Sequence, residues 1–396
     1  MAAKIVKNYP FSEYYAKKAE AGGRSTLDPL LEDDELEEIM VNGTKNVFVH
    51  HAKYGICKTN VAFKNERELA ELTAKMGFDG KRDFDDFVLK DGSRVNVIVP
   101  PAVKETTVTV RKFRKSPFSI IELIEKGTVN AELAAYLWTA VEGLSFFPLN
   151  ILIAGGTASG KTTLLDALTT FIPPSDRVVT VEDAPELNFQ RQNWVQLTTT
   201  ERLDLPGLVK NSLRMRPDRI IVGDIRGEEA FALFNAMNSG HRGAMGTLHA
   251  NNDREAIKRL ENEPLSVPRT LIPLADIIVV QEIIRDRRKG LIRRVKQVSE
   301  ISRIEKEIAL NPVFIWNIEN DKIERTTASS EALAKIARVT HLNIGRVKQI
   351  TEERRELLEY MLENNVKTRN EVNAFIEDYY KKSFEEEREG VEDGEA

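Results

Sequence analysis

Cysteine is almost missing from this chain: Cys57 is its single example in 396 residues. That excludes an intrachain disulfide and a multi-cysteine zinc site, and it fits a reducing cytoplasm. Long hydrophobic runs are missing too. No window approaches about 18 consecutive apolar residues, so no transmembrane helix is expected and any membrane role would be peripheral. Met1 to Pro10 carries lysines but no apolar core, so no signal peptide is expected. Positive charge is not in excess. A net charge of -5 speaks against a dedicated nucleic-acid binder, though not against a local basic channel. Internal repeats are absent. What is present is 41% hydrophobic and 30% charged residues, a soluble globular composition with a highly charged surface. The length suits two or three domains.

The most informative segment is Gly155-Gly156-Thr157-Ala158-Ser159-Gly160-Lys161-Thr162, followed by Thr163. It fits the phosphate-binding loop G-x-x-x-x-G-K-[ST] at each fixed position. Ile151 to Ala154 before it is short and apolar and reads as a buried strand. Thr163 to Leu168 after it reads as a helix start. Glycines let the loop's N–H groups turn inward around phosphate oxygens, and the new helix presents its own unpaired N–H groups to the same anion. Lys161 then meets the β- and γ-phosphates, and the Thr162 hydroxyl ligates Mg²⁺.

Around this loop the chain divides. Residues 1–26 are a polar extension with Tyr9, Phe11, Tyr14 and Tyr15, aromatics that dock on the protein itself or on a partner. Residues 27–114 read as a small α+β domain with an antiparallel sheet. It opens on a helix-like acidic stretch, Glu32 to Met40, and continues with strands around 47–49, 56–63, 95–99 and 107–110 and a helix over 64–77. A linker spans 115–120. Residues 121–329 alternate helices and buried strands (178–181, 194–197, 219–222, 277–280), the pattern of an α/β nucleotide-binding core. Asp286 to Gly290 reads as a hairpin tip. Its basic run, Arg285, Arg287, Arg288, Lys289, Arg293 and Arg294, is a solvated hairpin or a polyanion contact. Residues 330–382 are helical, with Leu357, Leu358, Met361 and Leu362 on a core-packing face. The acidic tail, 383–396, reads as disordered.

Three further segments lie downstream of the loop. Glu182 and Asp183 follow an apolar strand, at the end where open α/β sheets bind ligands. A carboxylate there orients the attacking water; taken in isolation it reads as a capping or turn acid. A second strand ends in Gly223-Asp224-Ile225-Arg226, the layout of the Mg²⁺-side carboxylate. Gly240-His241 and Leu248-His249 then bring two of the five histidines within nine residues. Such a pair suits sensing or polarising phosphate. No other ligand cluster accompanies it to hold zinc.

These segments in this order resemble the secretion motor ATPases of type II and type IV secretion, type IV and archaeal pili, archaella and tight-adherence pili. The resemblance spans roughly residues 30 to 380. The family's phosphate loop is similar to 155–162, its acidic box to Glu182-Asp183, its second carboxylate motif to 213–226 and its histidine box to 240–249. The eight-residue step between His241 and His249 resembles the tight-adherence and type IV secretion branch. The resemblance implies a RecA-like P-loop core behind the α+β domain, with a helical C-terminal extension. It makes Arg94, Arg111 and Arg114 candidates for reaching the phosphates from the N-terminal domain, and His241, His249 and Arg226 candidates for sensing them.

The function it implies is ATP hydrolysis with Mg²⁺ by a cytoplasmic ring, a hexamer, peripheral to the inner face of the membrane. The ring would act on an integral membrane platform protein and so on pilins or secreted substrates, with no stable nucleic acid. Lys161 and Arg111 would stabilise charge, Glu182 would orient water, and Thr162 and Asp224 would hold the metal. One position departs from the family pattern. Asp224 stands where Glu is usual, about one methylene shorter, so either Glu228 or Glu182 compensates or turnover is slow. The alternatives are a nucleic-acid translocase, resting on the basic run, and a slow nucleotide-gated scaffold, resting on Asp224.

Overall fold

The computed structural model describes residues 5–7, 12–14, 26–113, 116–189, 191–304 and 307–392. The chain forms two compact units: Met1–Lys115 with Arg285–Ile292, and Ser116–Ile284 with Arg293–Ala396.

The first unit contains β1 (Ile5–Lys7), β2 (Ser12–Tyr14), α1 (Asp28–Leu31), β3 (Leu36–Asn42), β4 (Asn46–His51), β5 (Gly55–Thr59), α2 (Glu66–Met76), β6 (Phe84–Val88), β7 (Arg94–Ile98) and β8 (Thr107–Arg111). The strands form one sheet in the order β1-β2-β5-β4-β3-β8-β7-β6. Alternate residues, among them Ile39, Val41, Val47, Val49, Val95, Val97, Val108 and Val110, join Leu69 and Leu72 of α2 in one core. Of the aromatics in 1–26, Tyr9, Phe11 and Tyr15 lie outside the described residues, and Tyr14 belongs to β2.

β3 corrects the helix expected from Glu32 to Met40. Its pairing with β4 shifts between Leu36 and Glu38, the mark of a bulge. The bulge puts Leu36 and Ile39, three apart, on the buried side. That spacing imitates a helical period, while the strand is fixed by pairing with β4 and β8. Here tertiary context overrides local pattern.

The second unit opens with two helices, α3 (Ile120–Glu125) and α4 (Ala131–Glu142). Gly127, at φ 71°, separates them. There follow β9 (Ile151–Gly155), α5 (Lys161–Leu168), β10 (Val178–Glu182), β11 (Trp194–Thr198), α6 (Leu205–Ser212), β12 (Arg219–Ile225), α7 (Glu229–Asn238), β13 (Met245–Leu248), α8 (Asp253–Glu261), β14 (Ile277–Asp286), β15 (Gly290–Ile304), β16 (Glu307–Asn317) and β17 (Lys322–Arg325). The unit ends in α9 (Glu331–Val339), α10 (Ile344–Glu363) and α11 (Arg369–Glu392). The sheet order is β11-β10-β12-β13-β9-β14-β15-β16-β17. From β11 to β14 each pairing is parallel.

Both faces of this sheet are covered. Ile151 and Ile153 of β9 enter one core with α4, α5 and the C-terminal helices. Leu152 and Ala154 enter the other, with α6, α7 and α8. Hence the strand reads as a continuous apolar run. Each fully buried Ile or Leu contributes about 1.5–3 kcal/mol. The helical part is tied to α4 by polar groups as well. Arg354 Nη2 donates to Glu142 Oε2 at 2.6 Å, and Trp138 Nε1 donates to Tyr380 Oη at 2.8 Å.

α11 runs to Glu392, into the acidic segment whose composition reads as disordered. Glu is a strong helix former, and a helix already docked needs no new nucleus to continue. The N-terminal sheet domain, the larger α/β core and the helical C-terminal part expected from the sequence are all found.

Candidate nucleotide-binding site

Strand register builds the site. Leu248 is level with Ala154 on one side and, past a shift, with Ile225 on the other. Val181 is level with Val222. The C-terminal ends of β9, β10, β12 and β13 therefore lie along one edge of the sheet. That edge carries the phosphate loop, Glu182, Asp224 and His249.

The loop is shaped by close approach. A Cβ on Gly155 would lie 2.4 Å from Gln281 O and 2.5 Å from Ser159 Oγ. Ala158 and Gly160 adopt left-handed φ values of 60° and 93°, the backbone habit that turns successive N–H groups toward one anion. Gly156 accepts hydrogen bonds from Ser159 Oγ and from Lys161 Nζ, each at 2.9 Å. Lys161 is 7% exposed, laid across the loop it follows. Thr157 is exposed, and Thr162 and Thr163 are half-buried on the first turn of α5.

Asp224 sits at the bulge of β12, where residues 222 and 225 pair with 246 and 248. Bulges re-aim side chains, and here the carboxylate reaches three groups. Arg226 Nε donates to its Oδ2 at 2.6 Å, His249 Nε2 lies 3.5 Å from the same oxygen, and Thr247 Oγ1 lies 3.5 Å from Oδ1. Burial first, then the Lys161 charge, holds the His249 ring below its usual pKa, while Asp224 pulls the other way. For Arg226, burial is outweighed by Asp224 and then by Asp183 and Glu186, so its pKa is raised. Lys161, Asp224, Arg226 and His249 thus form one electrostatic cluster. His241 does not join it: its backbone N–H goes to Ala236 O, and its ring has no hydrogen bond or ion pair with a described residue.

Glu182 is different. It is 2% exposed. Its Oε1 accepts the N–H groups of Glu186 and Leu187, each at 2.9 Å, and its Oε2 accepts Gln196 Nε2 at 2.8 Å. Burial pushes its carboxyl above the usual range, against the pull of those three hydrogen bonds. This is the geometry of a turn-holding acid. The turn it holds carries Asp183, which is exposed, and Glu186. Glu228, the other candidate to compensate for the short Asp224, is exposed just before α7.

The sequence reading missed three residues that shape the site. Thr247 is fully buried and donates to Gly223 O at 2.7 Å. Gln281, level with Gly155, lies 3.0 Å from where a Gly160 Cβ would be; a polar residue inside the apolar run of β14 was its signal. Arg293 Nε donates to Ala158 O at 3.0 Å. The basic run therefore divides, correcting the picture of one solvated hairpin. Arg294 is 4% exposed and forks onto Asp321 at 2.7 and 2.8 Å, while Arg285 to Lys289 belong to the first unit. In that unit Arg94 and Arg111 are direct cross-strand partners, and Arg111 also faces Glu38. Arg114 lies outside the described residues. Two cavities meet at Arg226: about 370 Å³ beside His249 and Lys258, and about 440 Å³ beside Asp183 and Asp204.

A parallel sheet covered on both faces, with a phosphate loop and acidic strand ends along one edge, defines a P-loop nucleotide-binding protein. The chain belongs to the type II/IV secretion system protein family, whose model matches residues 20–393, the family of secretion- and pilus-type traffic ATPases. It is 35% identical over 391 residues to the uncharacterized protein MJ0900 of Methanocaldococcus jannaschii, covering 94% of this chain and 70% of that one. It is 30% identical over 283 residues to a probable conjugal transfer protein, TrbB, of Sinorhizobium fredii, covering 69% and 85%. The X-ray structure of the ATPase DotB of Yersinia pseudotuberculosis is similar in fold, with a TM-score of 0.52 at 16% identity, covering 87% of this chain and 90% of that one. Among the described residues no helix is long and apolar enough to cross a membrane.

Proposed function

We propose that this chain hydrolyses ATP and works as a ring motor on the cytoplasmic side of the membrane. The observation that carries this is the cluster of Lys161, Asp224, Arg226 and His249 beside the phosphate loop. The loop's N–H groups and Lys161 bind and orient the phosphates. Thr162 and Asp224 offer hard oxygen donors, which suit Mg²⁺; once bound, that ion would neutralise phosphate charge. Glu182 holds the acidic turn, whose Asp183 lines one cavity with Arg226. Neutral His249 and Arg226 fix the Asp224 carboxylate and are placed to respond when phosphate charge changes. By family likeness, Arg94, Arg111 and Arg114 would be the candidates to meet transition-state charge, as arginine fingers do. Hydrolysis would be converted into rigid-body motion. The motion would act through a homo-oligomer, a hexamer by family likeness, on an integral membrane platform protein that assembles filaments or exports substrate.

The test is turnover of purified protein beside Lys161→Ala, together with rescue of filament assembly or secretion in a deletion strain. Full turnover and rescue by the Ala variant would refute this reading. A second reading, a nucleic-acid translocase, draws on the similarity to TrbB and on the exposed Arg287 and Arg288. It predicts ATPase stimulation by DNA with a steep salt dependence; its absence removes it.

A further inference from the structure

Three consecutive backbone N–H groups, those of Glu186, Leu187 and Asn188, are taken up by two carboxylates, one at the start of the same turn and one on α5. The first two go to Glu182 Oε1. Asn188 donates to Asp166 Oδ1 at 3.0 Å. Asp166 sits on α5, the helix that begins at Lys161, so phosphate loop and acidic turn are joined through one residue.

Asp166 is 4% exposed, and its Oδ2 lies 3.7 Å from Arg369 Nη2, whose side chain is equally enclosed. That nitrogen also donates to Asp166 O at 2.5 Å and to Thr169 Oγ1 at 2.9 Å. Arg369 opens α11. Asn373, Glu377 and Tyr380 follow at steps of four, four and three, which is one helix face. Asn373 Oδ1 accepts Thr170 Oγ1 at 2.9 Å, and Tyr380 Oη donates to Phe171 O at 2.8 Å. Glu377 lies 3.5 Å from Arg191 Nη1, whose Nη2 donates to Thr170 O at 3.3 Å. One face of the last helix is therefore fastened at three positions to the end of α5 and the turn at 169–171 that follows it, and at a fourth, Glu377, by way of Arg191.

We propose that Asp166 and Arg369 are positioning residues that couple α11 to the acidic turn, so that the placement of that turn, and with it turnover, depends on how α11 is seated. Glu182 alone holds two of the three N–H groups; Asp166 fixes the third and sets where the chain leaves the turn. Burial favours a protonated Asp166, and the Arg369 charge opposes that. Unseating α11 removes this opposing charge and weakens the acceptor for Asn188. The linkage runs both ways by thermodynamic necessity: what shifts α5 and the turn shifts α11.

The proposal rests on the hydrolysis reading above, and the experiment separates the two. Asp166→Ala, Asp166→Asn and Arg369→Lys are made in the full-length chain. Each is assayed for kcat, KM for ATP and affinity for a fluorescent ATP analogue. Asp166→Ala lowers kcat roughly tenfold, the scale of one buried hydrogen bond to a charged acceptor, with analogue affinity within about twofold. Asp166→Asn, whose amide oxygen still accepts from Asn188, restores most of it. Arg369→Lys, which keeps the charge and loses the fork, falls between. A folded Asp166→Ala protein with wild-type kcat overturns the proposal. So does a parallel loss of kcat and analogue affinity, which would mean that α5 itself is distorted. Should Asp166→Ala not fold, wild-type kcat in Arg369→Lys overturns it equally. A wild-type protein with no more turnover than Lys161→Ala sinks the hydrolysis reading instead. The coupling is then read at Trp194, whose ring is 6.0 Å from that of Phe189. By fluorotryptophan NMR, Arg369→Lys moves the Trp194 signal if the coupling holds; an unmoved signal refutes it.

Discussion

Glu182 and Asp224 end neighbouring strands of one sheet, yet they live in opposite environments. Glu182 is enclosed, and its two oxygens are committed to three donors of the protein itself. Asp224 is 22% exposed, and its neighbours are the side chains of Arg226, His249 and Thr247 rather than backbone N–H groups. Two acids that read alike in sequence thus divide the work. One holds the backbone, and the other, on the reading proposed above, meets the ligand. Burial and hydrogen bonding make that division, and residue type does not.

Substitutions at the two positions are expected to separate accordingly. The largest effect is on turnover at Asp224. Asp224→Asn should lower kcat about a hundredfold or more, as loss of a preorganised charged group does, while its melting temperature stays close to wild type. The orphaned Arg226 is 60% exposed, so solvent screens the lost pair. An unchanged kcat would erase the contrast. Next comes stability at Glu182. Glu182→Ala leaves the N–H groups of Glu186 and Leu187 without their acceptor and takes one of two acceptors from the Gln196 amide, at a cost of about 2–4 kcal/mol by denaturant unfolding; a loss below about 1 kcal/mol would show that the turn stands without it. A smaller effect is the response to a longer side chain. If the native site is impaired, Asp224→Glu raises kcat; if the bulge already compensates, Glu lowers it, and steady-state kinetics decides. The smallest effect is in pH. The folded state disfavours charged His249, so its contribution to stability is present above the ordinary imidazole pKa and is lost as pH falls through its lower folded value. NMR titration should place the ring's midpoint below about 6.5, and Lys161→Ala should move it upward by removing one repelling cation.

Much of this was legible in the sequence. The phosphate loop is read from local spacing, and Gly155 and Gly160 stand where close approach and positive φ require them. β13 was not legible as a strand. It is four residues long, and its Gly246 lacks the β-branched side chain that marks a strand. β3 was misread because its bulge mimics a helical period. The turn-holding part of Glu182 was one of two open alternatives, since sequence cannot show which amides lie within reach. The pairing of Asp166 with Arg369 crosses more than two hundred residues, a distance that no periodicity bridges.

Cys57 has a practical consequence. The thiol is fully buried in the first unit's core, and its Sγ lies 3.4 Å from Gly55 O. Enclosed groups react slowly with maleimides and nitroxides, so the folded protein is close to silent toward thiol labels. A Glu201→Cys substitution, at an exposed position four residues before α6, would then carry a single reporter without any background cysteine having to be removed first.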